Sequence, residues 1–165
     1  MEQKKFYKAL ESYLHEEGNR IYRLAYSYVK NEEDALDVVQ AAMLKALTTK
    51  NPCNIQYLKT WLYRIVVNAA LDFLRSRKRY TEFTEQISEE FKPVSVSKEG
   101  ISSMELEDSL NGLSFELRTI VVLHLFAGFT LHEVAEILEM NSNTVKTKYY
   151  RALKLLRLEL NNDDE

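Results

Sequence analysis

The chain has 165 residues, with 22 Lys or Arg against 25 Asp or Glu, for a formal net charge of −3. Its one cysteine, Cys53, excludes an internal disulfide and, with no cluster of histidines nearby, the usual four-ligand zinc site; a reducing setting is expected. Only four Gly and two Pro among long stretches of Leu, Ala, Glu, Lys and Arg exclude a strand-rich fold and predict an all-α one.

The opening MEQKKFYKALESYLHEEGNR interleaves charge with apolar residues, so it lacks the apolar core of a signal peptide, and no run long enough to cross a bilayer follows. The chain is expected to be soluble and cytoplasmic. From Ile21, apolar residues recur at Leu24, Ala25, Tyr28 and Val29, the three-and-four spacing of one helix face. After the polar break KNEED the period returns through Ala35, Val38, Val39, Ala42, Met43, Ala46 and Leu47, and Pro52 in TTKNPCN stops it. A third run, Leu58, Trp61, Leu62, Ile65, Ala69 and Phe73, continues into the basic cluster Arg75, Arg77, Lys78 and Arg79. Its aromatic residues Tyr57, Trp61 and Tyr63 beside cations are the materials of a single-strand grip, since a base stacked on an aromatic ring is worth about 1–3 kcal/mol. The phase of Trp61 favours the core over such a platform. Asn68, a turn from Arg64 and Asp72 and two turns from Arg75, is expected on the opposite, open face, free to read a base.

Between residues 81 and 103, TEFTEQISEEFKPVSVSKEGISS keeps no period and carries net acid, so it reads as a flexible linker. A structureless stretch of that length is uncommon inside one compact domain. Two small helical domains are therefore expected, 1–80 and 104–162, joined by 81–103.

In the second, Leu106, Leu110 and Leu113 begin a new apolar series. Ser114 should cap a helix containing Leu117, Ile120, Val121 and Leu125, which Gly128 would end. Thr130 and Glu133 have the spacing of a capping box, ahead of a short helix with Val134, Ala135, Ile137 and Leu138. Asn141 or Ser142 caps the last helix, which should bury Val145, Leu153 and Leu156. Small Ala135 and β-branched Val145, ten positions on, suit two helices crossing closely through a tight turn, the helix-turn-helix pattern whose second helix enters the major groove. Glu139 stands where many such turns carry glycine.

That last helix bears Lys146, Lys148, Arg151, Lys154 and Arg157 and no acid before Glu159, unlike an ordinary solvated face, which mixes signs. Asn143, Lys146, Thr147 and Tyr150 are expected nearest the base edges, with Thr144 beside them, and Lys148, Arg151 and Lys154 nearer the phosphates. His15, His124 and His132 are scattered, and no nucleophile-and-base pattern is visible, so neither catalysis nor a metal or other cofactor is expected. Two other readings use the same features: a helix-turn-helix regulator that binds DNA alone as a dimer, and a helical adaptor that binds only proteins.

Taken in order, NEEDALDVVQAAMLKAL, TWLYRIVVNAALDFLRSRKR and TLHEVAEILEMNSNTVKTKYYRALKLL resemble regions 2.1–2.2, 2.3–2.4 and 4.2 of the extracytoplasmic-function (ECF) sigma factors of the sigma-70 superfamily, promoter-recognition subunits of bacterial RNA polymerase. Ala41 departs from the acid usual there, and Met43 from the common Phe. The resemblance implies core RNA polymerase as partner, through the clamp helices of the beta-prime subunit and through the beta flap, with Asp34, Asp37 and Gln40 on the clamp. It further implies −10 capture by Trp61, Arg64, Asn68, Arg75, Arg77, Lys78 and Arg79. By the same resemblance, Lys146, Thr147, Tyr150 and Arg151 would read the −35 promoter DNA, and an anti-sigma factor, often membrane-anchored, would cover both domains and hold the protein at the membrane.

Overall fold

The structure, a computed structural model, describes residues 2–50, 55–84 and 110–162. Six helices account for most of them: α1 (Glu2–Val29), α2 (Glu32–Thr48), α3 (Leu58–Thr84), α4 (Phe115–Val121), α5 (Leu131–Leu138) and α6 (Ser142–Asn162), with a 3₁₀ turn at Ile55–Tyr57. No strand occurs among the described residues. The chain divides into two compact units, Met1–Ser95 and Val96–Glu165. Helix α3 continues to Thr84, so the first residues of the expected linker are helical. Residues 85–109 with Leu106, and Pro52 and Cys53, lie outside the described residues.

The amino-terminal unit packs α1, α2 and α3 against one another around Leu10, Ile21, Leu24, Val38, Leu58, Leu62 and Val66. Helix α1 begins at Glu2, well before the Ile21 at which its period becomes plain in the sequence. Phe6, Leu10, Tyr13, Glu17, Ile21, Leu24 and Tyr28 form one stripe at helical spacing, and an acid at its centre hides it. Glu17 is buried because it has partners: the Tyr63 hydroxyl donates to its carboxylate at 2.9 Å, and Lys59 and Arg20 lie at 3.7 and 3.5 Å. Tyr63 is therefore core and not a base-stacking ring. Burial first, then the bond to Glu17 and its negative charge, push the Tyr63 hydroxyl far above its ordinary pKa, so it stays a donor.

The break KNEED is a helix junction: Lys30 takes a left-handed φ of 54°, and the Asn31 side chain accepts the Asp34 N–H at 3.1 Å. Glu32, Glu33 and Asp34 then fill the first turn of α2, where the helix dipole favours negative charge. Ala35, Val38, Ala42 and Ala46 face the core, while Leu47, counted in the same period, is exposed.

In the carboxy-terminal unit Ser114 caps α4, accepting the Leu117 N–H at 3.3 Å. The helix does not run on regularly to Gly128: Val122–Phe126 form a π turn, closed by Ala127 N–H to Val122 O at 3.0 Å, before Gly128 turns the chain at φ 80°. A π turn shifts the phase by about one residue. Leu125, expected in the buried series, is consequently 52% exposed, and Ala127 and Phe129 are buried instead. Leu110, Leu113, Val121, Ala152 and Leu156 form a core cluster with Leu117 against it. Leu153 is only partly buried, and Tyr149 takes the place beside Val145 and Ala152 on the inner face of α6.

Thr130 and Glu133 make the reciprocal capping box of α5. After Leu138, Glu139 adopts φ 55° and ψ 45°, and the Met140 N–H reaches back to Ala135 O at 2.9 Å. This is a Schellman turn with glutamate where glycine fits without strain. Left-handed geometry costs an L-residue about 1 kcal/mol or more, partly offset by the greater freedom glycine brings to the unfolded chain. Glu139→Gly is thus expected to stabilise the unit by about 0.5 kcal/mol, read as a rise of a few degrees in thermal unfolding; a fall would show that the carboxylate makes a contact worth more than the strain.

Candidate nucleic-acid interfaces

In the carboxy-terminal unit Val134, Ala135 and Ile137 of α5 and Val145, Tyr149, Ala152 and Leu156 of α6 are buried. The partly buried His124 ring lies edge-on to Tyr149 at 4.8 Å, and its Nδ1–H donates to the Phe129 carbonyl at 2.7 Å, tying the turn before α5 to α6. Asn141 rather than Ser142 is the cap of α6: its Oδ1 accepts the Asn143 N–H at 2.8 Å and its carbonyl the Val145 N–H at 3.0 Å. Ser142 instead meets His132 Nδ1 at 3.0 Å, an exposed ring that also approaches Glu136 at 3.3 Å.

With its inner face fixed, α6 leaves Asn143, Thr144, Lys146, Thr147, Tyr150, Arg151, Lys154 and Arg157 exposed. Tyr150, 57% exposed, leans on Tyr149 at 5.6 Å, so its ring is held outward by a buried one. The Thr147 hydroxyl donates to the Asn143 carbonyl at 3.0 Å. Lys148 differs from its neighbours: it is half-buried and joined to Glu116 of α4. The sequence alone did not reveal that partner, 32 residues away.

In the amino-terminal unit Asn68 is exposed on α3, with Arg75 and Asp72 also exposed and Arg64 partly so. Trp61 is neither core nor free. It is partly buried, edge-on to Phe6 at 5.6 Å. Seven residues make nearly two helical turns, so Trp61 lies on the side of Asn68 while staying within a turn of buried Leu58 and Ile65. Lys78 is exposed; Arg79 is helical; Arg77 lies 3.6 Å from Asp34 of α2, each about one-third exposed. An ion pair so open to water is weak, and either charge can leave it for a stronger partner.

Helix α2 carries a feature the sequence reading passed over. Leu36, Leu44 and Leu47 are 50%, 64% and 51% exposed, and with exposed Gln40 they recur at helical spacing on the face away from the core. Asp37 flanks them, also exposed. The spacing of four, four and three was legible; its exposure was not, because α2 has apolar residues on two faces. Neither unit brings together three His, Cys, Asp or Glu able to hold a metal among the described residues, and no described helix is long and apolar enough to cross a membrane.

A family profile described as sigma-70 region 2 matches residues 8–80, and one described as sigma-70, region 4, matches 103–156. The chain is 43% identical over 148 residues to the RNA polymerase sigma factor SigV of Bacillus subtilis, covering 87% of this chain and 86% of that protein. It is 29% identical over 156 residues to the ECF sigma factor SigW of the same organism, covering 86% and 83%. Among solved structures, sigma factor RpoE of Bartonella quintana, in complex with the anti-sigma factor NepR, has a TM-score of 0.75 at 24% identity, covering 93% of this chain and 98% of that one. CnrH in complex with the cytosolic domain of CnrY gives 0.71 at 22%, covering 98% and 90%. These two solved structures share the fold.

Proposed function

Because this chain belongs to the ECF sigma factors of the sigma-70 superfamily, we propose a division of its work between two grips on one promoter, with residues assigned to each. The protein is an alternative sigma factor: it binds core RNA polymerase and promoter DNA to initiate transcription, and it is not an enzyme. Helix α6 would read the −35 element as duplex through Asn143, Lys146, Thr147, Tyr150 and Arg151. The open face of α3, with Asn68 beside Arg64, Trp61 and Arg75, would hold the −10 strand once it separates. Separating strands forfeits about 1.4 kcal/mol of stacking per step, so opening needs a trap for the displaced strand as well as a duplex contact. The apolar stripe of α2, with Asp37 and Gln40 at its margin, would dock on the polymerase clamp, and Asp34 would do so by leaving Arg77.

The observation that carries this reading is the exposed, acid-free face of α6, on a helix whose opposite side is fully engaged in the core. A regulator acting without polymerase would not need the exposed apolar stripe of α2 or the Asn68 face. The solved relatives bound to NepR and CnrY make an anti-sigma factor the natural further partner, holding a cytoplasmic protein inactive. Run-off transcription with core polymerase and a genomic template pool should yield discrete products; none would count against initiation by this chain. In the same assay Asn68→Ala should reduce permanganate reactivity of the melted strand about fivefold or more, one lost base-edge contact being worth roughly 1–3 kcal/mol. Closed-complex affinity should stay nearly unchanged, and equal losses in both would remove Asn68 from the trap.

A further inference from the structure

Helix α6 has no acid of its own before Glu159, yet the fold supplies one: Glu116, in the first turn of α4, is joined to Lys148. The side chains of the pair remain 35% and 42% exposed, so water and an arriving phosphate can reach both. Residues within a turn of Lys148 on α6 are Thr144, Val145, Arg151 and Ala152, none of them acidic. The carboxylate facing this ammonium thus comes from tertiary structure.

We propose that Glu116 sets the strength of duplex binding by competing with the DNA backbone for Lys148, which makes it a positioning residue for promoter recognition. This rests on the reading of α6 as the duplex-facing helix. A phosphate that takes Lys148 must displace the carboxylate, and a carboxylate left beside the backbone repels it; both effects lower affinity. A duplex grip weakened in this way makes stable binding depend on the second contact, at the melted strand, and on polymerase.

The test uses the full chain and duplexes recovered by the reconstituted holoenzyme from a random-sequence pool, with affinity read by fluorescence anisotropy at fixed salt. Glu116→Gln should bind about 1.5- to 5-fold tighter, the range that partly exposed ion pairs span. Lys148→Ala should weaken binding, and in that background Glu116→Gln should still restore part of the loss, because the carboxylate without its lysine repels the backbone directly; a merely structural glutamate would give no gain in either background. Glu116→Ala serves as a second variant, with thermal unfolding checking that α4 is intact. If Lys148→Ala weakens binding while neither Glu116 variant alters it, the competition is refuted and the duplex reading of α6 stands. Should Lys148→Ala, Lys146→Ala and Arg151→Ala all bind as the parent does, both fall together. An equal gain from Glu136→Gln, at an exposed position of α5, would assign the effect to net charge and overturn the bridge.

Discussion

Phe129→Ala is expected to unfold the carboxy-terminal unit and abolish the duplex binding proposed for α6, while the amino-terminal bundle stays folded. Phe129 is 2% exposed, its backbone N–H reaches back past the π turn to Leu123 O at 3.0 Å, and its carbonyl receives the His124 bond at 2.7 Å. Truncating a buried phenylalanine costs about 3–5 kcal/mol, the loss of transfer energy adding to the void left behind. A helical unit of this size rarely has more than about 3–5 kcal/mol in total. Far-UV circular dichroism should show part of the helical signal lost at 25 °C, the temperature at which such stabilities are referenced, and duplex binding should disappear. Retention of full ellipticity and binding would mean the turn before α5 can collapse around the cavity.

The second large effect concerns a surface. Leu44 is 64% exposed, so Leu44→Asp should change stability by no more than about 0.5 kcal/mol, as surface substitutions do. If the stripe of Leu36, Leu44 and Leu47 docks on polymerase, an aspartate at its centre must be desolvated without a partner. Central interface positions of this kind cost 2 kcal/mol or more, so capture of core polymerase should fall by about 30-fold or more. Competition between parent and variant chains for limiting core enzyme measures this. Thermal unfolding of the amino-terminal unit in the same variant should be unchanged, which separates a docking defect from misfolding. Equal competition would assign the stripe to a different partner.

Much of this molecule was legible as residue order. The capping box of Thr130 and Glu133, the Ser114 cap, the burial of Ala135 and Val145 and the acid-free face of α6 are local: each depends on residues within a few turns, and helical spacing fixes which of them share a side. The three motifs in order were enough to indicate the family. What escaped was wherever a side chain's partner is remote or the period slips. Glu17 hid the first half of α1 because its partner Tyr63 stands 46 residues away, and no pattern in α1 announces a tyrosine on α3. Leu125 was misplaced because a π turn adds a residue to the helical repeat, which composition does not reveal.

By itself, then, the sequence determined the all-α architecture, the two basic helices and the caps of α4 and α5, since helix propensity, spacing and end-capping act over a few residues. Only the tertiary structure decided which apolar residues stay outside, as on α2, and which charges meet. Glu116 with Lys148 and Asp34 with Arg77 join residues from different helices, and long-range pairing of that kind is set by how helices pack, not by the order in which their residues are written.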